Sequence, residues 1–245
     1  MNRLLIILKG FFVGATMTVP GVSGGTMAVI MGIYEDLLSA INDVFKKPKE
    51  KIPVLLFFAV GCIAGFFTLA GVVTYLLENR KTGMIVRIVF AVIVALGIPP
   101  LVKNAELSKP DIKCILCVLA GAAVVVVLNF LPVGNMGDKG GILWAITQML
   151  AGVIAAMALV LPGVSVTHML YILGMYTDIM HKVYSMQIVS MIPFAIGFAV
   201  GIFATGKVLQ GLMENHKKGM YSTITGFVIG SVILLIMDGI SRINV

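Results

Sequence analysis

Nine apolar stretches, joined by short polar connections, make up almost all of this 245-residue chain. They cover residues 3–19, 24–45, 52–77, 83–102, 111–131, 141–161, 165–183, 188–212 and 219–240. A helix of about 20 apolar residues spans the hydrocarbon core of a bilayer, and most of the stretches approach that length. The pattern therefore predicts an all-α polytopic membrane protein, with residues 1–245 forming a single membrane domain.

The composition supports this prediction and excludes several other classes. Hydrophobic residues make up 59% of the chain and charged residues 12%, and the mean hydropathy is +1.06. The net charge of +7 comes from basic residues in short connections, as is typical beside membrane helices, so we expect no nucleic-acid partner. The cysteines lie in apolar stretches and are interpreted as packing residues. The sequence has no soluble-enzyme or nucleotide-binding motif, and no cofactor or metal is expected.

One motif occurs twice. Residues 20–26 read Pro-Gly-Val-Ser-Gly-Gly-Thr, and residues 162–168 read Pro-Gly-Val-Ser-Val-Thr-His. Each copy is followed, at matching spacing, by a glycine, a tyrosine and an aspartate. The second copy follows the first by 142 positions, and Glu214 follows Glu78 by 136. A longer loop at residues 46–51 accounts for the difference, so the chain contains an internal repeat.

The order of the stretches predicts two inverted repeats. Repeat one covers about residues 3–102 and repeat two about residues 141–240, with a bridging helix at about residues 111–131. If the motif separates the two arms of a hairpin, each half crosses the membrane an even number of times. The bridging helix adds one crossing, so the second half has the opposite orientation in the membrane. The first stretch has about 17 residues, against about 20 for a span, so we expect re-entrant hairpins; full spans with a mid-chain break are the alternative.

Basic residues then distinguish the two faces of this topology, with eleven on one face and six on the other. The first face carries Arg3, Lys9, Lys46, Lys47, Lys49, Lys51, Lys103, Lys109, Lys113, Lys217 and Lys218. The second carries Arg80, Lys81, Arg87, Lys139, Lys182 and Arg242. Because an excess of Lys and Arg marks the cytoplasmic side, we expect a cytoplasmic N-terminus and a C-terminus outside.

The two copies of the motif are the first candidates for a binding site. A Pro-Gly break at membrane depth frees backbone amides that lipid cannot satisfy. Ser23 is expected to cap the following helix, and the two glycines after it let an anion approach the positive end of that helix. In the inverted arrangement the two tips hold one phosphate or carboxylate between them, whereas a purely structural kink is the alternative. The predicted contacts are Ser23, Gly24, Gly25, Thr26, Ser165, Val166, Thr167 and His168.

Charged residues in or beside the apolar stretches complete the candidate set. Arg87 lies one turn inside its stretch and is predicted to contact phosphate, with snorkelling as the alternative. Turns at the two faces are predicted to attract anionic headgroups, or to act as ordinary interfacial anchors, through Arg80, Lys81 and Lys217. The candidates for carrying a coupling proton or cation are Glu35, Asp36, Asp178 and His168. On a continuous helix Asp36 lies about 15 Å beyond Thr26, where a snorkelling helix-end acid is the alternative.

Residues 20–26, followed by Tyr34-Glu35-Asp36 and by the second copy that begins Pro162-Gly163-Val164-Ser165, resemble a widespread prokaryotic membrane family. That family, long catalogued as a domain of unknown function, is now described as PopT-type polyprenyl-phosphate transporters, and the similarity covers essentially the whole chain. The resemblance implies a bacterial plasma-membrane protein, not an enzyme, that returns undecaprenyl phosphate from the outer to the inner leaflet. This flippase activity recycles the lipid carrier of peptidoglycan and other envelope polymers. Because the second copy has Val166-Thr167-His168 where the first has Gly24-Gly25-Thr26, symmetric phosphate contacts are not expected.

Two other functions stay open at this level. One is a membrane enzyme that acts on polyprenyl phosphates, and the other is a small-anion transporter that uses the same paired half-helices. A phosphate monoester carries about −1.5 to −2 charges, and moving it toward an inside-negative potential costs roughly 4 kcal/mol per 100 mV. We therefore expect ion or proton coupling. The sequence leaves open the prenyl chain length, the coupling ion and whether the chain forms a homo-oligomer.

Overall fold

The chain folds into a bundle of helices in the computed structural model, which describes residues 2–19, 21–104, 111–132, 134 and 141–241. The side chains of Arg80, Asn104 and Ser241 lie outside this description. The helices are α1 (Arg3–Thr16), α2 (Gly24–Ile30), α3 (Tyr34–Asp43), α4 (Pro48–Glu78), α5 (Arg80–Ala95), α6 (Ile98–Asn104), α7 (Ile112–Asn129), α8 (Gly141–Val160), α9 (Val166–Ile172), α10 (Tyr176–Tyr184), α11 (Ile192–Asn215) and α12 (Lys217–Ser241). A 3-10 turn, Val189–Met191, precedes α11, and no strand occurs among the described residues.

The predicted multi-pass helical architecture is confirmed. In the described part of the chain, six helical segments are long and apolar enough to cross a membrane, or seven if a bent pair counts as one span. The six are Pro48–Glu78, Lys81–Lys103, Ile112–Asn129, Gly141–Val160, Val189–Asn215 and Lys217–Ile240. The first helix, α1, has 14 residues and is shorter than the about 20 that a span needs.

The stretch at residues 24–45 is divided into α2 and α3, which are bent by 114° relative to each other. The chain turns at Gly32, whose φ of 61° is left-handed, and the backbone N–H of Ile33 donates to the carbonyl of Ala28. This pattern is a Schellman motif, in which a glycine ends the helix. The helix α9 ends in the same way at Gly174, with a φ of 69°.

This break corrects the expected position of two acids. The prediction that Asp36 lies about 15 Å beyond Thr26 on one continuous helix is wrong, because the chain turns between α2 and α3. Glu35 and Asp36 instead lie in the first turn of α3, where the positive end of the helix dipole stabilises a carboxylate.

Glycines let the helices of each half pack closely. α1 lies along α4, and α8 lies along α11. Gly61 of α4 faces the backbone of Ile7, and Gly197 of α11 faces the backbone of Met149. A Cβ at either glycine would overlap a carbonyl oxygen, so the small residue is required for this approach.

α12 is the central helix of the bundle. It packs against α5, α6 and α7, and half of its membrane window is buried, which is more than in any other span of the described chain. One face of this helix therefore meets elements from both halves, and the candidate site is built against it.

Candidate functional site

Both copies of the motif form tight turns ahead of short helices. Gly21 and Gly163 have φ values of 88° and 85°, in the left-handed region that favours glycine. α2 begins at Gly24 and α9 at Val166, and an extended serine precedes each helix. The repeated sequence thus produces repeated local geometry, although Pro20 lies outside the described residues.

The two serines differ in what their hydroxyls contact. Ser165 Oγ accepts a hydrogen bond from the backbone N–H of His168 at 3.5 Å, as an N-cap does. Ser23 occupies the equivalent position but makes no capping hydrogen bond, and its hydroxyl donates to the carbonyl of Leu161 at 3.5 Å. The expectation that the Ser23 side chain caps α2 is wrong, because the hydroxyl points to the other tip.

The two tips touch each other directly. The backbone N–H of Gly163 donates to Thr26 Oγ1 at 2.7 Å, and Thr26 is 1% exposed. Gly25 faces the carbonyl groups of Leu159 and Leu161. The structure therefore brings residues 23–26 of the first half to residues 159–163 of the second. In this conformation protein contacts occupy the junction, and a headgroup enters it only if the tips separate.

α12 supports both tips. The hydroxyl of Ser231 donates to the carbonyl of Gly163 at 3.3 Å and to that of Phe227 at 3.0 Å. One turn farther along, the side chain of Leu235 lies against Gly21. The two left-handed glycines of the repeated motif, Gly163 and Gly21, thus contact successive turns of α12.

The other predicted residues of the second copy contact different parts of the protein. Val166 packs among apolar side chains, and Thr167 is exposed. A ring nitrogen of His168 lies 3.1 Å from the carbonyl oxygen of Leu128, at the end of α7. Around the second copy of the motif, the described contacts with the first tip come from residues 159–163 rather than from residues 166–168.

Arg87 is buried and paired. It is 2% exposed, its Nε donates to Oδ2 of Asp238 at 2.5 Å, and its Nη1 donates to the carbonyl of Gly83 at 3.1 Å. Asp238 follows Leu235 on α12, so the pair lies about 4.5 Å along the helix axis from the contact with the first tip. Asp238 was not among the residues predicted from the sequence, although it is the one acid in the apolar stretch at residues 219–240.

The basic turns lie at the two ends of the bundle. α5 and α12 are antiparallel. Arg87 in the middle of α5 contacts Asp238 near the end of α12, whereas Leu101, which follows α5, lines a cavity with Tyr221 near the start of α12. Lys81 and Lys217, which are exposed in the first turns of these helices, therefore lie at opposite ends and away from the tips. The side chain of Arg80 lies outside the described residues.

A cavity of about 290 Å³ opens beside the start of α12. Its lining residues are Glu35, Leu38, Ser39, Gln210, Met213, Glu214, Lys217 and Tyr221. A neighbouring cavity of about 220 Å³ shares Glu35 and Tyr221 and adds Asp36. One coupling candidate, Glu35, therefore lines a cavity with Lys217 and with Glu214, which was not predicted as a site residue, and Asp36 lines the neighbouring cavity.

The remaining acid, Asp178, belongs to a buried cluster. Its Oδ2 lies 2.5 Å from Nζ of Lys182, which is 6% exposed and 3.8 Å from the ring centroid of Trp144. With the amide of Gln148 assigned in the orientation that satisfies both neighbours, its oxygen accepts from Lys182 at 2.9 Å and its nitrogen donates to the carbonyl of Ser190 at 2.9 Å. From the sequence Lys182 was predicted only as a basic residue of one face, whereas its contacts join α8 to α10.

Comparison with known proteins gives a consistent result. The family model described as VCA0040-like, undecaprenyl phosphate translocase-like, matches residues 13–241. The chain is 26% identical to a polyprenyl-phosphate transporter of Vibrio cholerae, over 95% of this chain and 77% of that protein. It is 31% identical to a polyprenyl-phosphate transporter of Staphylococcus aureus, over 92% of this chain and 83% of that protein. No solved structure matches. The family resemblance drawn from the repeated motif is confirmed.

Proposed function

We propose that this chain, which belongs to the undecaprenyl phosphate translocase-like family, transports polyprenyl phosphate across the membrane and is not an enzyme. The relatives that it matches are named for transport of this class of lipid. The proposed cargo is undecaprenyl phosphate, and the proposed direction is from the outer to the inner leaflet, which recycles the carrier for peptidoglycan synthesis. The observation that carries the proposal is one face of α12, which links a cavity, both tips and Arg87.

The path proposed for the headgroup follows this face. Lys217 lines the cavity at one end, Ser231 contacts the second tip, Leu235 contacts the first, and Asp238 holds Arg87. Residues 217 to 238 span about 32 Å of helix, close to the about 30 Å of a bilayer core. The prenyl tail stays in the surrounding lipid while the phosphate moves along the helix.

Arg87 is the proposed first contact of the phosphate. A guanidinium presents parallel N–H groups that match phosphate oxygens. The side chain of Asp238 is 47% exposed and that of Arg87 only 2%, so the carboxylate lies at the surface of the bundle and the guanidinium lies beneath it. We propose that the phosphate displaces this carboxylate or shares the guanidinium with it. Arg80 and Lys81, at the start of the same helix, are proposed to attract the headgroup from the membrane surface.

The tips are proposed to separate and to bind the phosphate between them. The proposed ligands are the hydroxyls of Ser23, Thr26 and Ser165 together with backbone amides of their turns. Gly24 and Gly25 leave room for close approach, because they carry no side chain. In the second copy the proposed ligands are the backbone of Val166 and the side chains of Thr167 and His168, so the two sides of the site are unequal.

Coupling to an ion follows from the charge of the cargo. Inward movement of about −1.5 to −2 charges against an inside-negative potential costs roughly 4 kcal/mol per 100 mV. Glu35 and Asp36 line the cavities near Lys217, and we propose that they accept the accompanying proton or cation there. Asp178 and His168 are the second choice, since both already have partners.

We propose that the two halves are inverted repeats with re-entrant tips. The succession of α1 to α4 recurs as α8 to α11, and left-handed glycines occupy matching positions in both. α7 lies between the halves, and its single crossing turns the second half over. The excess of basic residues then assigns the start of α12 to the cytoplasmic side and Arg87 to the outer side.

The test is leaflet-resolved access to labelled polyprenyl phosphate in proteoliposomes. We expect the wild-type protein to equilibrate the lipid between leaflets, and Arg87→Ala and Ser23→Ala to slow it. Loss of one charge-assisted contact of about 1.5–3 kcal/mol predicts a loss of about 10- to 150-fold for Arg87→Ala. Lys207→Ala, which alters an exposed lysine of α11, is the matched control and should transport normally. Wild-type transport no faster than in empty liposomes would refute the proposal.

The same vesicles test the two other functions. Release of inorganic phosphate from the labelled lipid would indicate a membrane enzyme. Uptake of inorganic phosphate, with no requirement for a prenyl tail, would indicate a small-anion transporter. The proposed function predicts neither result.

A further inference from the structure

A polar contact joins the two halves at one end of the bundle, where α3 lies across α11. Asn42 Nδ2 donates to the carbonyl of Gly206 at 2.9 Å and to Oε1 of Gln210 at 2.6 Å. Gln210 donates in turn to Glu214 at 2.7 Å. A Cβ built on Gly206 would lie 3.2 Å from Cγ2 of Ile41. We call these five residues the α3–α11 clasp.

The internal repeat gives the clasp a counterpart. The offset of 142 relates α3 to α10, and the offset of 136 relates α4 to α11. The counterparts of Ile41, Asn42, Gly206 and Gln210 are, in that order, Val183, Tyr184, Ala70 and Thr74. An operation that exchanges the two halves therefore maps the α3–α11 contact onto a contact between α10 and α4.

The counterpart contact between α10 and α4 is not formed in this structure. Within the described residues α10 packs on α8, α9 and the 3-10 turn, and it has no comparable contact with α4. Tyr184 is 83% exposed and Val183 43%. On α4, Thr74 is exposed and Gly71 has no atom within 4 Å of its Cβ position. The two faces that the repeat would pair are both uncovered.

We propose that α10 closes onto this face of α4 in a second conformation, in which the α3–α11 clasp is broken. The two contacts exclude each other and act as the two gates of the headgroup path. The inference rests on the proposed function in one respect: a carrier opens its path to one face of the membrane at a time.

The positions of the two contacts fit this role. Glu214 of the clasp precedes the turn into α12, and Thr74 precedes the turn into α5. Because α5 and α12 begin at opposite ends of the bundle, the contacts lie at opposite ends as well. The open end is the one where Arg87 lies, so the structure corresponds to the state that admits the headgroup to its proposed first contact.

Removing the hydrogen bonds of Asn42 favours the second conformation. Asn42→Ala deletes both hydrogen bonds that α3 makes to α11. Since two such bonds contribute about 1–2 kcal/mol, the ratio of the second conformation to the first should rise about 5- to 30-fold.

Paired cysteines measure the two contacts, in a background from which Cys62, Cys114 and Cys117 have been removed. We expect the pair Ile41→Cys with Gly206→Cys to form a disulfide readily, and to block transport until it is reduced. The pair Ala70→Cys with Val183→Cys should form its disulfide slowly, and about 5- to 30-fold faster when Asn42→Ala is added. A chain that carries all four cysteines should form either disulfide and never both.

Tyr75→Cys with Val183→Cys is the matched control. Tyr75 is exposed on α4 beside Thr74, but its counterpart, Gly211, has no atom within 4 Å of its Cβ position. This pair should stay reduced. If the Ala70–Val183 pair never cross-links, or if both disulfides form in one chain, the inference is wrong.

The cross-links form without lipid, so this test is separate from the test of function. Correct cross-linking with no transport of polyprenyl phosphate would refute the proposed function but would still support the two mutually exclusive contacts. Transport without the Ala70–Val183 cross-link would refute the gates alone.

Discussion

The hydrogen bond between the two tips gives the sharpest prediction about the site. Thr26→Val keeps the size of the side chain but removes the acceptor of the Gly163 N–H, which it meets at 2.7 Å. Because Thr26 is 1% exposed and Gly163 is partly buried, that N–H would be left in the junction without this acceptor. An unsatisfied buried donor costs about 1–3 kcal/mol, so the ratio of separated to closed tips should rise about 5- to 150-fold. Thr26→Ser keeps the hydroxyl and should behave as the wild type does.

Hydrogen exchange at the amide of Gly163, followed by mass spectrometry, measures this ratio. Thr26→Val should accelerate exchange there by the same factor, while amides in α7 keep their wild-type rates. Thr68→Val is the matched control, because the Thr68 hydroxyl donates within its own helix to the carbonyl of Ala64 and its loss exposes no buried N–H. Unchanged exchange at Gly163 in Thr26→Val, or equal acceleration in Thr26→Ser, would refute the direct contact between the tips.

Three further predictions concern stability and one buried cluster. Arg87→Ala should lower the free energy of unfolding in detergent by about 1–3 kcal/mol, less than for a fully buried ion pair because Asp238 is half exposed. Gly61→Ala should destabilise by about 1–3 kcal/mol, since its Cβ would overlap the backbone of α1, whereas Gly71→Ala has open space and should not. Lys182→Met should shift the fluorescence of the single tryptophan, because it removes a cation 3.8 Å from the ring.

Each of these has a result that would contradict it. For the ion pair, additive effects of Arg87→Ala and Asp238→Asn in a double-mutant cycle would mean that the two side chains do not interact. For the glycines, equal unfolding midpoints of the two alanine variants would argue against close packing of α1 on α4. For the cluster, Lys207→Met serves as the control, and a tryptophan spectrum that responds equally to both lysine variants would disprove the contact.

The sequence predicted the features that depend on local geometry. The turns at Gly21 and Gly163 could be predicted from the sequence, because a glycine readily adopts the left-handed backbone conformation wherever it lies. The close packing at Gly61 and Gly197 has a recognisable sequence pattern, because each glycine is followed four residues later by another, at Gly65 and Gly201, and small residues at this spacing allow helices to approach. The helical, apolar character of the membrane segments followed from hydropathy alone.

Features that depend on tertiary structure were not predictable in the same way. Glycine is common within membrane helices, so Gly32 did not reveal that the chain bends there by 114°. The partner of Arg87 is 151 positions away, and the contact between Thr26 and Gly163 spans 137. No pattern along the chain indicates which distant residues meet, and the direct contact between the tips therefore required the structure.

The claim that a phosphate headgroup passes between the tips is tested most directly at Ser231, which is 2% exposed and contacts Gly163. In a background without native thiols, Ser231→Cys should react with a small anionic thiol reagent when the tips separate. Polyprenyl phosphate should slow that reaction, the corresponding prenyl alcohol should not, and Ile233→Cys on the exposed side of α12 should show no protection by either. A cysteine at 231 that never reacts, or that the alcohol protects as well as the phosphate does, would contradict the account.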